Sequence, residues 1–298
     1  MAVYTIFLNQ KGGVGKSTVS ASVAMALFQM GYRVLFIDMD KSGNGTKLFG
    51  LERIVDSDHP ESIEQTIKLR GTVDSLICKS DFGVDVVRSS KHLEDLNEWF
   101  NLKNNSTRRF SFFKQFIDTN AVKQNYDVVI IDTKPKVDDI IRAIINACHY
   151  YVIPLFADAF SADGLRDQIN ICEDVKRDLD SDIKFIGAVI NNYKSDDPNH
   201  VAFAQAIRNI GKEANFKVMK SVIPYSRAAG TASRKKAPIS VVGGHLPIWR
   251  SFCAVAREIS IHLKNTKRGR KPQPVDTALL GTLSDFNSSG DIEVSPEL

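Results

Sequence analysis

The start of the chain places an apolar segment, a glycine-rich segment and a helix-forming segment one after another. Val3–Leu8 has the composition of a buried strand, and Thr18–Met30 has apolar residues at helical spacing and is followed by Gly31. The segment between them, Asn9–Thr18, reads NQKGGVGKST. A glycine loop that ends in GK[ST] between a strand and a helix is the signature of a phosphate loop. The sequence therefore predicts an α/β nucleotide-binding fold.

The residue types in this loop suit the binding of a nucleoside triphosphate. Glycines let backbone N–H groups turn inward around phosphate oxygens, and the following helix directs the positive end of its dipole at them. Lys16 would neutralise the β- and γ-phosphates, and the Ser17 hydroxyl would ligate Mg²⁺. A glycine-rich turn that binds nothing is the alternative, which the agreement of sequence order and context disfavours. The predicted nucleotide-binding residues here are Gly12, Gly13, Val14, Gly15, Lys16, Ser17 and Thr18.

The rest of the chain alternates short apolar segments with helical ones. The further predicted strands are Arg33–Ile37, Val84–Val87, Asp127–Ile131, Tyr150–Pro154, Phe185–Ile190 and Val218–Ile223. The further predicted helices are Val137–Cys148, Ala162–Leu179, Asn199–Ala214 and Pro247–Leu263. This alternation predicts an α/β fold with a doubly wound, mostly parallel sheet flanked by helices.

One domain is expected over residues 1–264, with an insertion inside it and a tail after it. The expected insertion, 56–125, is polar and irregular, with one strand and helices around His92–Phe100 and Phe110–Lys123. Residues 265–298 hold basic residues followed by acidic ones. Such a charge-segregated segment is expected to be disordered.

Composition excludes several classes of protein. With 298 residues, 43% of them hydrophobic, the chain can bury a large core without disulfides or metals. No segment is long and apolar enough to cross a bilayer and the N-terminus does not read as a signal peptide, so a cytoplasmic location is expected. The four cysteines are scattered singly. Buried thiols are therefore expected rather than a zinc or iron–sulfur site.

The loop departs at two positions from the general phosphate-loop pattern, and both departures favour a smaller class of nucleotide-binding proteins. Gln10 stands at the first glycine position, and a second lysine, Lys11, precedes the glycine pair. In this the sequence resembles the deviant Walker-A family, which includes ParA-type partition ATPases, MinD and nitrogenase iron protein. The resemblance implies that Lys11 reaches across a dimer interface to the phosphates of the partner's nucleotide, so that ATP joins two subunits. A solvated loop charge is the alternative for Lys11.

Carboxylates at the ends of two predicted strands belong to the same expected site. Asp38 and Asp40 lie in the segment DMDKSGN, at the sheet edge where open α/β folds bind ligands. By resemblance, Asp40 positions the attacking water and Asp38 lies near the metal. Asp132 ends the strand of Asp127–Ile131 and matches a Walker-B acid, whose carboxylate holds a Mg²⁺-bound water. A helix cap is the alternative for Asp132.

Four residues depart from the family pattern next to these carboxylates. Lys41 and Ser42 replace the usual proline and glutamine, and Lys134 and Lys136 flank a single proline where the family has two. The lysines could tune hydrolysis, contact a partner or remain solvated.

Two further positions match the places where the family holds the adenine base. Asn191 ends the predicted sixth strand, and Pro224 follows the predicted seventh. An amide offers the base edge both a donor and an acceptor, and a proline turn offers it a flat apolar surface. A strand-end cap and a plain turn are the alternatives.

The C-terminal part carries a basic surface. In Pro247–Leu263 an apolar stripe of Trp249, Phe252, Ala256, Ile259 and Leu263 is bordered by basic residues at seven-residue steps. The residues predicted to bind DNA are Arg227, Arg234, Lys235, Lys236, Arg250, Arg257 and Lys264. Contacts of this kind would be sequence-independent and weakened by salt. A solvated basic face is the alternative.

By resemblance, the favoured function is that of a ParA-type ATPase that uses ATP and Mg²⁺. It would dimerise on ATP, bind nonspecific DNA of the nucleoid, and release it when a cargo-bound adaptor of ParB type stimulates hydrolysis. A MinD-like membrane switch is the alternative, but Thr277–Phe286 lacks the basic residues of a membrane-binding helix. Membrane association is therefore not expected. The cysteine pattern disfavours an iron-protein role.

Overall fold

The computed structural model describes residues 1–102, 110–158 and 161–263. Its strands are β1 Val3–Phe7, β2 Val34–Met39, β3 Ile77–Lys79, β4 Asp85–Val87, β5 Val128–Thr133, β6 Tyr150–Phe156, β7 Lys184–Tyr193 and β8 Val218–Pro224. Its helices are α1 Lys16–Gln29, α2 Asn44–Lys47, α3 Ile63–Lys68, α4 Asp95–Asn101, α5 Phe112–Ile117, α6 Asn120–Asn125, α7 Asp139–Ala147, α8 Ser161–Leu179, α9 Pro198–Glu213, α10 Arg227–Lys235, α11 Ile239–Val242 and α12 Pro247–Ser260. Single 3₁₀ turns cover Val73–Leu76 and Ile261–Leu263.

The described strands form one eight-stranded sheet in the order β3-β4-β2-β5-β1-β6-β7-β8. Neighbouring strands are parallel except for the β3–β4 pair. From β1 the chain runs to β2 on one side, and from β5 it runs to β6 on the other. Such a reversal opens a crevice at the carboxyl ends of the two central strands. The predicted doubly wound, mostly parallel fold is confirmed.

Apolar side chains on both faces of the sheet create two packed layers. In β1, Tyr4 and Ile6 belong to the cluster that includes the buried residues of α7 and α8. Phe7 belongs to the opposite cluster, which includes the buried residues of α1 and α12. Because both faces are covered, the central strands are mostly apolar, with Thr5 in the middle of β1 a buried polar exception.

Two differences from the predicted elements have local causes. The segment Phe110–Lys123, predicted as helical, contains α5 and α6, because the Thr119 hydroxyl accepts a hydrogen bond from the Val122 amide at 3.0 Å and starts a new helix. The edge strand β3 has only three residues, none of them fully buried, so it carries no hydrophobic pattern. Sequence periodicity does not reveal a strand that short.

The segment 56–125 supplies β3 and β4 to the common sheet, and α3 to α6 pack into one of its two apolar layers. The expected tail, 265–298, and Lys264 lie outside the described residues. In the part of the chain that is described, no helix has the length and apolar character that a membrane span requires. Cys148 and Cys172 are buried thiols as expected, whereas Cys78 and Cys253 are only half-buried.

Candidate nucleotide-binding site

The loop between β1 and α1 has the geometry of an anion cradle. Gly13 and Gly15 have φ angles of 76° and 82°, in the left-handed region that glycine adopts without strain. Gly15 caps α1 without a side-chain hydrogen bond, and the first turn of the helix has no acidic residue. The N–H groups at the start of a helix need partners. Those of α1 are therefore available to phosphate oxygens.

Asn191 and Pro224 lie at the carboxyl ends of the neighbouring strands β7 and β8. The Nδ2 group of Asn191 donates a hydrogen bond of 2.9 Å to the Val14 carbonyl, which ties β7 to the loop. A Cβ atom at Gly15 would lie 2.4 Å from the same Nδ2 atom. Asn191 therefore shapes the phosphate loop directly. Its contact with an adenine base, and that of Pro224, stay predictions.

Lys16 is a buried cation at the start of α1, with 6% of its surface exposed. Its Nζ donates a long hydrogen bond of 3.4 Å to the Lys11 carbonyl. Burial lowers the pKa of Lys16, while the carboxylates of Asp132 and Asp40 act in the opposite direction. A buried ammonium with so little compensation is suited to an anionic ligand.

Lys11 is held by its own chain in this structure. Its Nζ lies 2.5 Å from Asp158 Oδ2, and its backbone amide donates to Asn9 Oδ1 at 2.8 Å. Asn9 in turn donates to the Pro154 carbonyl at 2.7 Å, so the loop is anchored to β6. A cross-subunit role for Lys11 would require its side chain to leave Asp158.

Asp132 and Asp38 are paired residues on the adjacent strands β5 and β2. Asp132 is fully buried, and neither of its carboxylate oxygens has a hydrogen-bond partner among the residues that the structure describes. Burial, and then the charge of Asp38, raise the pKa of Asp132 to about 8, whereas the neighbouring Ser17 hydroxyl lowers it. Unpartnered carboxylate oxygens beside a hydroxyl form a donor set that suits Mg²⁺.

Asp38 differs from Asp132 because both of its oxygens have donors. Its Oδ2 accepts hydrogen bonds from the Thr46 amide at 2.7 Å and the Thr46 hydroxyl at 2.8 Å. Its Oδ1 accepts from the Asp40 amide at 3.1 Å. Burial raises the pKa of Asp38 to about 6 against the effect of these bonds. Asp38 thus fixes the loop after β2, and its Oδ1, which accepts one hydrogen bond from the described residues, keeps an acceptor site for the metal near which it is predicted to lie.

Asp40 lies at the open side of this group and is half-buried. Its Oδ1 accepts a hydrogen bond of 2.9 Å from the Ser42 amide. Its charge acts on the pKa values of both Lys16 and Asp132, which places the carboxylate beside the phosphate loop. The role in orienting water that the resemblance implies for Asp40 stays a prediction.

The unusual lysines next to the site pair with acids of the same chain. Lys41 Nζ lies 2.7 Å from Glu94 Oε2, and Lys134 Nζ lies 2.5 Å from Asp138 Oδ2. Asp138 also caps α7. Lys136 is exposed. Lys134 is therefore paired and largely buried, whereas Lys41 is paired but half-exposed to solvent.

The predicted DNA-binding residues of the described chain are exposed on the α1 side of the sheet. They are Arg227, Arg234, Lys235, Lys236, Arg250 and Arg257. Lys236 forms an ion pair with Glu52. Within the described residues, Arg227, Lys235, Arg250 and Arg257 form no ion pair. The apolar stripe of α12 and the 3₁₀ turn after it is buried as predicted.

Sequence reasoning did not predict the contacts that three residues make at the site: Asp158, Thr46 and Ser89. Asp158 contacts Lys11 across 147 positions of sequence, and no motif marks it. Ser89 is likewise 49 positions from Asp40, whose carbonyl it contacts. Only Thr46, two residues after the DMDKSGN segment, lies near enough to a motif to be suspected.

We expect Gly15→Ala to lower the free energy of unfolding more than Gly13→Ala does. Both residues have a positive φ, so both substitutions strain the backbone by roughly 1–2 kcal/mol. Only at Gly15 would the new methyl group also displace Asn191 and break its hydrogen bond, at a further cost of about 1 kcal/mol. Urea unfolding without nucleotide measures the difference. Equal losses would show that Asn191 does not constrain the loop.

Known proteins are similar to this chain over most of its length. Residues 3–185 match a family model described as an AAA domain. The sporulation initiation inhibitor protein Soj of Bacillus subtilis is 27% identical over 237 residues, which cover 78% of this chain and 87% of Soj. The chromosome partitioning protein ParA of Caulobacter vibrioides is 24% identical over 253 residues, which cover 84% of this chain and 91% of that protein.

Among solved structures, the fold resembles that of a McdA variant from Cyanothece in complex with ATP. The TM-score is 0.73 at 18% identity, and the match covers 87% of this chain and 96% of the other. This structural similarity confirms the fold.

Proposed function

This chain belongs to the AAA domain family, with ParA-type partition ATPases among its relatives, and on that basis we propose that it is an ATP-dependent dimerisation switch. The dimer would bind DNA without sequence preference and segregate or position a plasmid, chromosome or other cargo. One arrangement carries the proposal. Lys16 is buried at the start of α1, a helix without a side-chain cap, and near Asp132, whose carboxylate oxygens have no hydrogen-bond partner among the described residues.

The proposed chemistry is the Mg²⁺-dependent hydrolysis of ATP to ADP and phosphate. The backbone amides of residues 12–17 and the Lys16 ammonium would hold the phosphates. Ser17 and Asp132 would hold Mg²⁺, which offsets the negative charge of the phosphates when it is bound. Asp40 would orient the attacking water, since its carboxylate lies beside Lys16 at the open side of the site.

Dimerisation would depend on Lys11. The side chain is about two-fifths exposed and lies at the rim of the site, paired with Asp158. An exposed ion pair contributes little to stability, so its exchange for a phosphate of the partner subunit's nucleotide costs little. ATP would in this way join two copies of the chain.

The basic residues of α10 and α12 would then contact DNA phosphates. Two DNA-binding surfaces in one dimer bind more tightly than one, which makes ATP the switch for DNA binding. An adaptor of ParB type on the cargo would stimulate hydrolysis and so release the DNA. A nucleoid location follows from this cycle.

We expect Lys16→Ala to abolish ATP binding, because it removes the buried cation from the phosphate loop. Lys11→Ala, the matched control in the same loop, should still bind ATP but should no longer dimerise with it. Binding of a fluorescent ATP analogue and light scattering measure the two properties. ATP binding by Lys16→Ala would contradict the phosphate site, and an ATP-dependent dimer of Lys11→Ala would contradict the cross-subunit contact.

Arg250→Glu should weaken ATP-dependent DNA binding and reduce its salt slope by about one for each DNA phosphate that the variant no longer neutralises. Lys212→Glu is the matched control, because it changes the net charge equally but lies on α9, in the opposite layer of the sheet. DNA retention over a salt series measures the effect, with anionic vesicles in a parallel assay. Equal loss in both variants would indicate a general charge effect, and ATP-dependent binding to vesicles alone would favour a membrane switch.

A further inference from the structure

The end of β4 contacts the loop that carries Asp40. Ser89, two residues after β4, is fully buried. Its hydroxyl donates a hydrogen bond of 2.5 Å to the Asp40 carbonyl, and its amide donates one of 2.9 Å to the Thr46 hydroxyl. A single residue of the segment 56–125 thus binds the loop after β2 at two points.

These two contacts close a ring of hydrogen bonds. The Thr46 hydroxyl donates to Asp38 Oδ2 at 2.8 Å, and the Asp40 amide donates to Asp38 Oδ1 at 3.1 Å. The ring therefore runs from Ser89 through Thr46, Asp38 and Asp40 back to Ser89. Ser89, Thr46 and Asp38 have no exposed surface, so water cannot replace a missing member.

The ring fixes the backbone of Asp40 but leaves its carboxylate at the open side of the site. Within the described residues, that carboxylate accepts a hydrogen bond at Oδ1 from Ser42 and none at Oδ2. Among those same residues, Ser89 has no hydrogen bond to the phosphate loop between β1 and α1. A change at Ser89 would therefore move Asp40 without altering the groups that hold the phosphates.

We propose that Ser89 is a positioning residue for ATP hydrolysis, because the buried ring Ser89–Thr46–Asp38–Asp40 sets the direction of the Asp40 carboxylate before nucleotide binds. The inference rests on the proposed function, in which Asp40 orients the attacking water. It gives the segment 56–125 a part in hydrolysis that its sequence does not reveal.

The neighbouring serine provides a matched control. Ser90 is also fully buried, and its hydroxyl donates a hydrogen bond of 2.5 Å to Glu64 Oε1. This bond stays within the segment 56–125 and does not reach the loop after β2. Ser89→Ala and Ser90→Ala therefore each delete one buried hydroxyl, and only the first breaks the ring.

The test compares ATP affinity with the single-turnover rate of hydrolysis in the full chain. Ser89→Ala should hydrolyse bound ATP about tenfold more slowly or worse, since small misplacements of catalytic groups are costly. Its affinity for ATP should stay within about twofold of the wild type, because the phosphate loop is intact. Ser90→Ala should match the wild type in both properties, and Ser89→Thr, which keeps the hydroxyl, should recover most of the rate.

Several outcomes would overturn the inference. A wild-type rate in Ser89→Ala, or an equal loss in Ser90→Ala, would show that the ring does not position Asp40 specifically. A wild-type rate of hydrolysis in Asp40→Ala would show that Asp40, the residue that Ser89 is proposed to position, does not orient the attacking water. None of these outcomes would contradict the proposed ATPase function. A wild-type chain that neither binds nor hydrolyses ATP would instead refute the proposed function, and the role of Ser89 with it.

Discussion

The structure depends on buried charges that face one another at the carboxyl ends of the central strands. Asp38 and Asp132 are paired on adjacent strands, and the buried ammonium of Lys16 lies close to the second of them. The donors around Asp38 compensate its burial, whereas the oxygens of Asp132 have no such partners in the described part of the chain. Burial of polar groups without partners is costly. In the proposed complex a bound cation would supply the missing partner of Asp132, and a polyphosphate would supply that of Lys16.

The two aspartates therefore differ in what they contribute to the site. Asp132 has carboxylate oxygens without hydrogen-bond partners among the described residues, while Asp38 organises the loop that carries Asp40. Around them, side chains from distant segments hold the loops in place: Asn191 holds the phosphate loop, Asp158 holds Lys11, and Ser89 holds the loop after β2. ATP binding would change the partner of Lys11 while the other two contacts persist. In the proposed cycle, therefore, only the contact between Lys11 and Asp158 is exchanged.

The sequence was sufficient to predict the fold and the position of the phosphate loop, because strand, glycine loop and helix follow one another locally. Gly15 and Lys16 could be placed from a motif alone. The edge strand β3 could not, since three half-exposed residues carry no periodic pattern. The partners Asp158 and Ser89 could not either, because they lie 147 and 49 positions from the residues they contact. Their positions result from the order of strands in the sheet, which brings the ends of β4 and β6 beside loops of β2 and β1.

The cost of burying Asp132 can be measured by comparing the thermal unfolding of the wild type with that of Asp132→Asn. Each protein is measured with and without Mg²⁺ and ATP. Because burial raises the pKa of Asp132 to about 8, the nucleotide-free chain must protonate this carboxyl when it folds at neutral pH, which costs stability. Asn is isosteric and already neutral, so the variant without nucleotide should unfold a few degrees higher than the wild type. Mg²⁺ with ATP should raise the unfolding temperature of the wild type and have much less effect on the variant. A nucleotide-free variant that is less stable than the wild type, or equal stabilisation of both by Mg²⁺ and ATP, would contradict the conclusion that Asp132 is kept buried for a bound cation.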